Sequence, residues 1–147
     1  HNPQTHDPAG GQWMDVEDLA ERMLSNPLQR GLTLSGGEPF AQPEACAELA
    51  QRVRSQGKDV WVYSGYTFEE LYASGSAGVR ALLEACDVLV DGRFVLAQRS
   101  LALRFRGSAN QRLINLPRSL AAGQATPWID PAQARAPEPL LRRAAGQ

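Results

Sequence analysis

Few residues of this chain have the chemistry of catalysis, and the candidates are charged groups lying beside glycines. Gly36, Gly37, Glu38 and Pro39 close the short run Leu32-Thr-Leu-Ser35. Paired glycines let the main chain approach a ligand and adopt φ values that other residues avoid. A carboxylate beside them suits a cationic ammonium group. Asp91 and Arg93 form an acid-x-cation pair, and Arg106 precedes Gly107 and Ser108. Such a set could hold a zwitterion that carries hydroxyls. Glu38 would take its ammonium, Arg93 its carboxylate and Asp91 a pair of ribose hydroxyls. The same residues also read as a strand-to-helix turn with a solvent-facing Glu38 and a surface Asp91–Arg93 ion pair of little energetic weight. No Ser lies in a nucleophile elbow, no His follows a strand after His6, and no phosphate-cradling loop pattern is present. No catalytic residue is identified. Binding groups without an acid, base or nucleophile assign the chemistry to a cofactor.

The elements that must carry these groups alternate helix and strand. Asp15 is a helix N-cap, and Val16, Leu19, Ala20, Met23 and Leu24 share one face of the helix that follows. Leu32 to Ser35 reads as the first strand. Pro43 opens a second helix that Gly57 closes. Asp59 to Gly65 reads as the second strand, with an apolar run that suits burial on both faces. Thr67 to Glu70 has a capping-box pattern, and a further helix carries Val79, Leu82, Leu83 and Cys86 on one side. Asp87 to Gly92 is the third strand. Leu101 to Arg106 reads as a fourth and Gln111 to Asn115 as a fifth. This order predicts an α/β fold with a parallel sheet and right-handed crossovers. Each strand then delivers small or ionisable residues to one sheet edge: Gly36, Gly37 and Glu38, then Ser64 and Gly65, then Asp91 and Arg93, then Arg106, Gly107 and Ser108. Ligands bind at that edge in parallel α/β folds. The expected organisation is a domain over residues 1–116 and a Pro/Ala-rich tail over 117–147.

Composition bounds the function. With 147 residues, 43% hydrophobic and 21% charged, the chain has the size and make-up of one globular domain. A formal charge of -1 gives no global field for nucleic acid or an anionic membrane. Neither a spanning apolar run nor a signal peptide is visible, and a cytoplasmic location is expected. Cys46 and Cys86 lack metal-ligand spacing and read as buried small hydrophobes. His1 and His6, in a polar loop with no third ligand near, read as loop residues.

Four stretches carry a resemblance: Leu34-Ser-Gly-Gly-Glu-Pro39, Asp59-Val-Trp-Val-Tyr-Ser-Gly-Tyr66, Asp87-Val-Leu-Val-Asp-Gly-Arg-Phe94 and Arg106-Gly-Ser-Ala-Asn-Gln111. The first is similar to the GGEP motif of radical S-adenosylmethionine enzymes. The series resembles the activating proteins of anaerobic (class III) ribonucleotide reductases. That resemblance implies a parallel β/α barrel of the radical S-adenosylmethionine type, here partial and without its first strand. It implies two cofactors, S-adenosylmethionine and a [4Fe-4S] cluster. It also implies a reaction in which a 5'-deoxyadenosyl radical takes hydrogen from a glycine of the partner reductase. An electron donor such as flavodoxin or ferredoxin would serve it. Cys thiolates hold such clusters, and in this family the third is commonly followed by His-Asn-Pro. The chain starts His1-Asn2-Pro3, so the cluster cysteines are expected upstream of His1. This chain alone is expected to be inactive.

Carried over residue by residue, Gly36, Gly37 and Glu38, followed by Pro39, would contact the methionine amino group. Asp91 and Arg93 would meet the ribose and carboxylate, and Ser64, Ser108 and Asn110 would line the nucleotide pocket. Arg93 stands where the pattern has Lys, which keeps the charge and adds a bidentate option. The alternatives are an activase of another glycyl-radical enzyme, another small radical S-adenosylmethionine enzyme, or a non-catalytic nucleotide-binding or partner-docking domain.

Overall fold

The computed structural model describes residues 15–134. The loop expected over residues 1–11, with His1 and His6, lies outside them, as does the end of the expected tail. Helix α1 (Val16–Leu24) starts where Asp15 predicts, its carboxylate accepting from Glu17 N at 2.9 Å. Strand β1 is Gly31–Leu34, α2 is Pro43–Ser55 and β2 is Asp59–Tyr63. Pro43 sits in the first turn of α2, and Gly57 follows that helix at φ +75°. Helices α3 (Phe68–Ala73) and α4 (Ala77–Ala85) lead to β3 (Val88–Asp91). Thr67 caps α3 through Glu70 N, and Ser76 caps α4 through Val79 N. Strand β4 (Arg112–Asn115), α5 (Leu116–Ala122) and α6 (Pro131–Ala134) complete the described chain.

The four strands form one sheet in the order β1-β2-β3-β4. β1, β2 and β3 are parallel, while β4 runs antiparallel to β3, so the sheet is mixed rather than parallel throughout. Parallel neighbours need a crossover of a dozen or more residues, usually a helix, that carries the chain back across the sheet. Between β3 and β4 the chain supplies only a loop with one short 3-10 turn, Leu96–Gln98, and so returns antiparallel. The expected strand at Leu101–Arg106 is not formed. That stretch is turns and irregular backbone, fixed by a bridge between Arg99 and Ser108.

Register explains the core. Leu34, Val62, Leu89 and Ile114 stand side by side across all four strands. With Leu32 and Val60 they form the face that packs on Ala50 and Val53 of α2 and Leu82 and Leu83 of α4. All four β3 residues are buried, as expected of a strand covered on both sides. Cys86 is buried and Cys46 half-buried in this core. Burial, then the neighbouring charge of Asp87, pushes the Cys86 thiol up to about 12, which suits an inert core residue.

The opposite face is covered by aromatic rings. Trp61 lies 5.1 Å from the Phe105 ring and 4.9 Å from that of Trp128. Tyr63 Oη donates to the Phe105 carbonyl at 2.5 Å. These contacts hold Phe105 at φ +67°, a conformation that costs a non-glycine residue about 1–2 kcal/mol. The stretch read as a Pro/Ala-rich tail opens inside α5, in which Leu116 and Ser119 are buried. It continues into Thr126–Trp128, which pairs with the outer edge of β4: Asn115 N donates to Thr126 O and Trp128 N to Leu113 O, both at 2.9 Å.

Candidate functional site

The carboxyl ends of the parallel strands β1, β2 and β3 lie side by side at one edge of the sheet. Past β1 the chain turns through Gly36 (φ +69°) and Gly37 (φ +53°), a pair of left-handed residues that glycine adopts without penalty. Glu38 follows and is bonded on both oxygens. Oε1 accepts from Ser64 Oγ at 2.7 Å and Gly65 N at 2.8 Å, and Oε2 accepts from Phe40 N at 3.1 Å. Glu38 thereby ties the end of β1 to the end of β2 and caps the 3-10 turn Pro39–Ala41. Pro39 is buried beneath it. Ser64 is buried too, and its Oγ also accepts from Tyr66 N. The carboxylate is near enough to Cys46 to add to burial in raising that thiol's pKa.

Arg93 reaches the same place from the far side. A side-chain carbon on Gly65 would lie 3.7 Å from Glu38 Oε1 and 3.8 Å from Cγ of Arg93. Gly65 therefore leaves open a gap with a carboxylate on one wall and a guanidinium-bearing arm on the other. Arg93 is exposed, and among the described residues it has no ion pair. This gap can take an ammonium against Glu38 and a carboxylate against Arg93, as an α-amino acid moiety presents them.

The other predicted residues are placed differently. Asp91 was expected against a ribose, yet only 1% of it is exposed. Oδ1 accepts from Arg112 Nε at 3.0 Å, and Oδ2 accepts from Phe68 N at 2.8 Å and from Arg112 Nη2. Its carboxylate fastens α3 and β4 to β3 and does not face the gap. Ser108 is fully buried, donating to Asn110 Oδ1 at 2.6 Å and accepting from Val95 N at 3.2 Å. Asn110 donates to the Arg93 carbonyl at 2.7 Å, which sets the backbone from which Arg93 extends. Arg106 donates to the Gln111 carbonyl at 2.6 Å and is not part of a clamp with Glu38.

Two residues escaped the sequence reading. Arg112 bridges Asp91 and Glu69, raising its own pKa, and its hydrogen bonds are the main cause of the lowered pKa of Glu69. Gln111 closes the loop before β4, its Oε1 accepting from Gly107 N and Ser108 N and its Nε2 donating to Gly92 O. Both stand at the head of β4, and their partners follow from its antiparallel sense, which no local signal announces.

Comparison with known proteins fixes the family. A family model described as a 4Fe-4S single cluster domain matches residues 1–114. The chain belongs to that family. Relatives named anaerobic ribonucleoside-triphosphate reductase-activating protein include one from Vibrio cholerae, 42% identical over 104 residues, 68% of this chain and 64% of the relative. One from Haemophilus influenzae is 39% identical over 105 residues, 65% of each chain. One from Escherichia coli K12 is 38% identical over 100 residues, 65% of this chain and 60% of the relative. The chain thus spans less than two thirds of the length of these curated relatives. Within this 4Fe-4S family member no helix among the described residues is long and apolar enough to cross a membrane.

Proposed function

We propose that the protein carrying this chain is a radical S-adenosylmethionine activating enzyme that places a glycyl radical on an anaerobic ribonucleotide reductase. The observation that supports it best is the identity of 38–42% to relatives named as activators of that reductase. On this reading Gly36, Gly37 and Glu38 bind the amino group of S-adenosylmethionine, and Arg93 binds its carboxylate. Ser64, with the N–H groups of Gly65 and Phe40, holds the Glu38 carboxylate in place, and Pro39 follows it as the buried start of the 3-10 turn. Asp91, Ser108 and Asn110 act one layer back, by setting the backbone of the loop that carries Arg93. The gap at Gly65, with opposite charges on its two walls, fits the zwitterionic end of that molecule.

When bound, S-adenosylmethionine supplies a bond that one-electron reduction can cleave. The chain's own residues contribute binding and orientation. An electron donor of the flavodoxin or ferredoxin kind and a cytoplasmic location belong to the same proposal, as does a partial barrel architecture. The described residues do not fit a [4Fe-4S] cluster: no group of three or more His, Cys, Asp or Glu among them could hold a metal. Cys46 and Cys86 are core thiols with raised pKa values. No residue of 15–134 is assigned to the cluster, and no step is derived through it.

The test is anaerobic incubation of the full gene product with reductant, S-adenosylmethionine and the reductase. A glycyl-radical signal in electron paramagnetic resonance is expected. Its absence with a demonstrably iron-loaded protein overturns the reading.

A further inference from the structure

One residue beyond Arg93 the surface changes character. The loop from Phe94 to Gly107 encloses an open hollow of about 670 Å³, lined by Phe94, Leu96, Leu101 and Leu103 together with Arg99 and Arg106. Leu96 is 71% exposed and Leu101 91% exposed. Isolated exposed apolar residues are ordinary, but a contiguous apolar hollow is a mark of recognition. The loop is also fixed in place. Arg99 and Ser108 form a bridge, Ala109 N donates to Gln98 O at 2.9 Å, and Gln111 holds Gly107 and Ser108. The Phe94 ring packs so closely on Gly107 that a side-chain carbon there would lie 3.0 Å from it. The leucines are therefore displayed on a tied ring of backbone.

Charge says what the hollow receives. Between Gly92 and Ile129 the sequence has six arginines, at 93, 99, 104, 106, 112 and 118, and no Asp or Glu, although the whole chain is formally -1. Arg104 is paired with Asp130, and Arg112 with Asp91 and Glu69. Among the described residues Arg93 and Arg99 have no acidic partner, and Arg106 donates to a backbone carbonyl.

We infer that this hollow docks an acidic polypeptide segment bearing aliphatic side chains, seated beside the Glu38–Arg93 gap. Leucine side chains would enter the apolar floor while carboxylates pair with Arg99 and Arg106 at its wall. Nucleic acid is a poorer match, because single strands bind on stacking platforms of exposed aromatic rings. Here the lining is mainly leucine with a single aromatic ring, Phe94, and the Phe105 ring lies outside it, packed on Trp61 and Trp128. The chemistry of the segment stands on these observations. Only its assignment to the reductase rests on the function proposed above.

The experiment is fluorescence anisotropy with a labelled peptide of alternating aspartate and leucine and the full gene product. Binding is expected, with loss of about tenfold or more in affinity for Arg99→Glu and for Leu101→Ser. Peptides with lysine for aspartate, or serine for leucine, are expected to bind as weakly as the variants do. Both substitutions are at exposed positions outside the gap, so calorimetric binding of S-adenosylmethionine should be unchanged by them. No binding of the acidic leucine peptide, or equal binding by the variants, overturns the inference. So does tighter binding of a single-stranded DNA oligonucleotide or of phosphatidylglycerol vesicles through the same residues. If the peptide behaves as expected but the reductase neither binds nor gains a radical, the docking chemistry stands and the proposed partner falls.

Discussion

Glu38 accepts from Ser64 Oγ, Gly65 N and Phe40 N, so its removal alters the ends of two strands as well as the charge offered to a ligand. Hydrogen bonds to a charged group contribute about 1.5–3 kcal/mol each at most, and losing several leaves donors unmatched. Glu38→Ala should lower unfolding stability in urea by about 2 kcal/mol and weaken S-adenosylmethionine binding about tenfold or more by calorimetry. Unchanged binding would remove Glu38 from the ligand site. Asp91 should behave in another way. Its carboxylate is buried on Arg112 and Phe68 N, so Asp91→Asn should cost about 2–4 kcal/mol of stability. Ligand affinity of the folded fraction should stay at the wild-type value; a selective loss of affinity would return Asp91 to the pocket. Glu69 gives the sign of one pH effect. The Arg112 hydrogen bonds hold it below its ordinary 4.5, so the pair stabilises the fold above that pH and the contribution is lost as pH falls further. Glu69→Gln should flatten the acid side of a thermal-melting profile between pH 5 and 3, by a small amount because the pair is exposed.

At the scale of elements, β1 and β2 approach so closely that a side-chain carbon on Gly31 would stand 2.6 Å from the Asp59 carbonyl oxygen. Backbone cannot swing aside as a side chain does, so Gly31→Ala should cost about 1–3 kcal/mol, read as a lowered urea midpoint. A melting point equal to wild type would show that β1 tolerates a shift. The first four helices and the three parallel strands were legible because each rests on local signals: Asp15, Thr67 and Pro43 at helix starts, and apolar runs at Val60–Tyr63 and Val88–Val90, whereas α5 and α6 lie in the stretch read as tail. The stretch from Leu101 to Arg106 misled because Leu101, Leu103 and Phe105 alternate with polar or small residues, the pattern of a half-buried strand. In the structure Leu101 is exposed and lines the hollow with Leu103, while Phe105 packs on Trp61, so the alternation forms no strand. The sense of β4 was not legible at all, since strand direction depends on whether a crossover helix exists, and the loop's arginines and glycine say nothing of that. The candidate site was half legible. Gly36, Gly37, Glu38 and Arg93 converge as their positions at strand ends imply, but nothing in the sequence tells that Asp91 would find Arg112 before it could meet a ligand.

Over the whole molecule, charge and hydrophobicity divide in a way the net value of -1 conceals. Carboxylates gather in the first two thirds of the chain and arginines in the loop and strand that follow, so the two ends of the Glu38–Arg93 gap come from regions of opposite sign. The sheet is asymmetric as well. Its β4 edge is closed by Thr126–Trp128, whereas among the described residues β1 pairs only with β2. An open edge is a place for another strand. The aromatic cover of the sheet has an optical consequence. Of the three tryptophans in the chain, Trp61 and Trp128 touch each other and both touch Phe105, which is part of the loop that encloses the hollow. Indole emission responds to its surroundings, so loading the hollow should shift intrinsic fluorescence without any label, and Phe105→Ala should abolish the shift while preserving the emission itself. The ring cluster that holds the loop against the sheet is then also the gauge by which occupation of the hollow can be read.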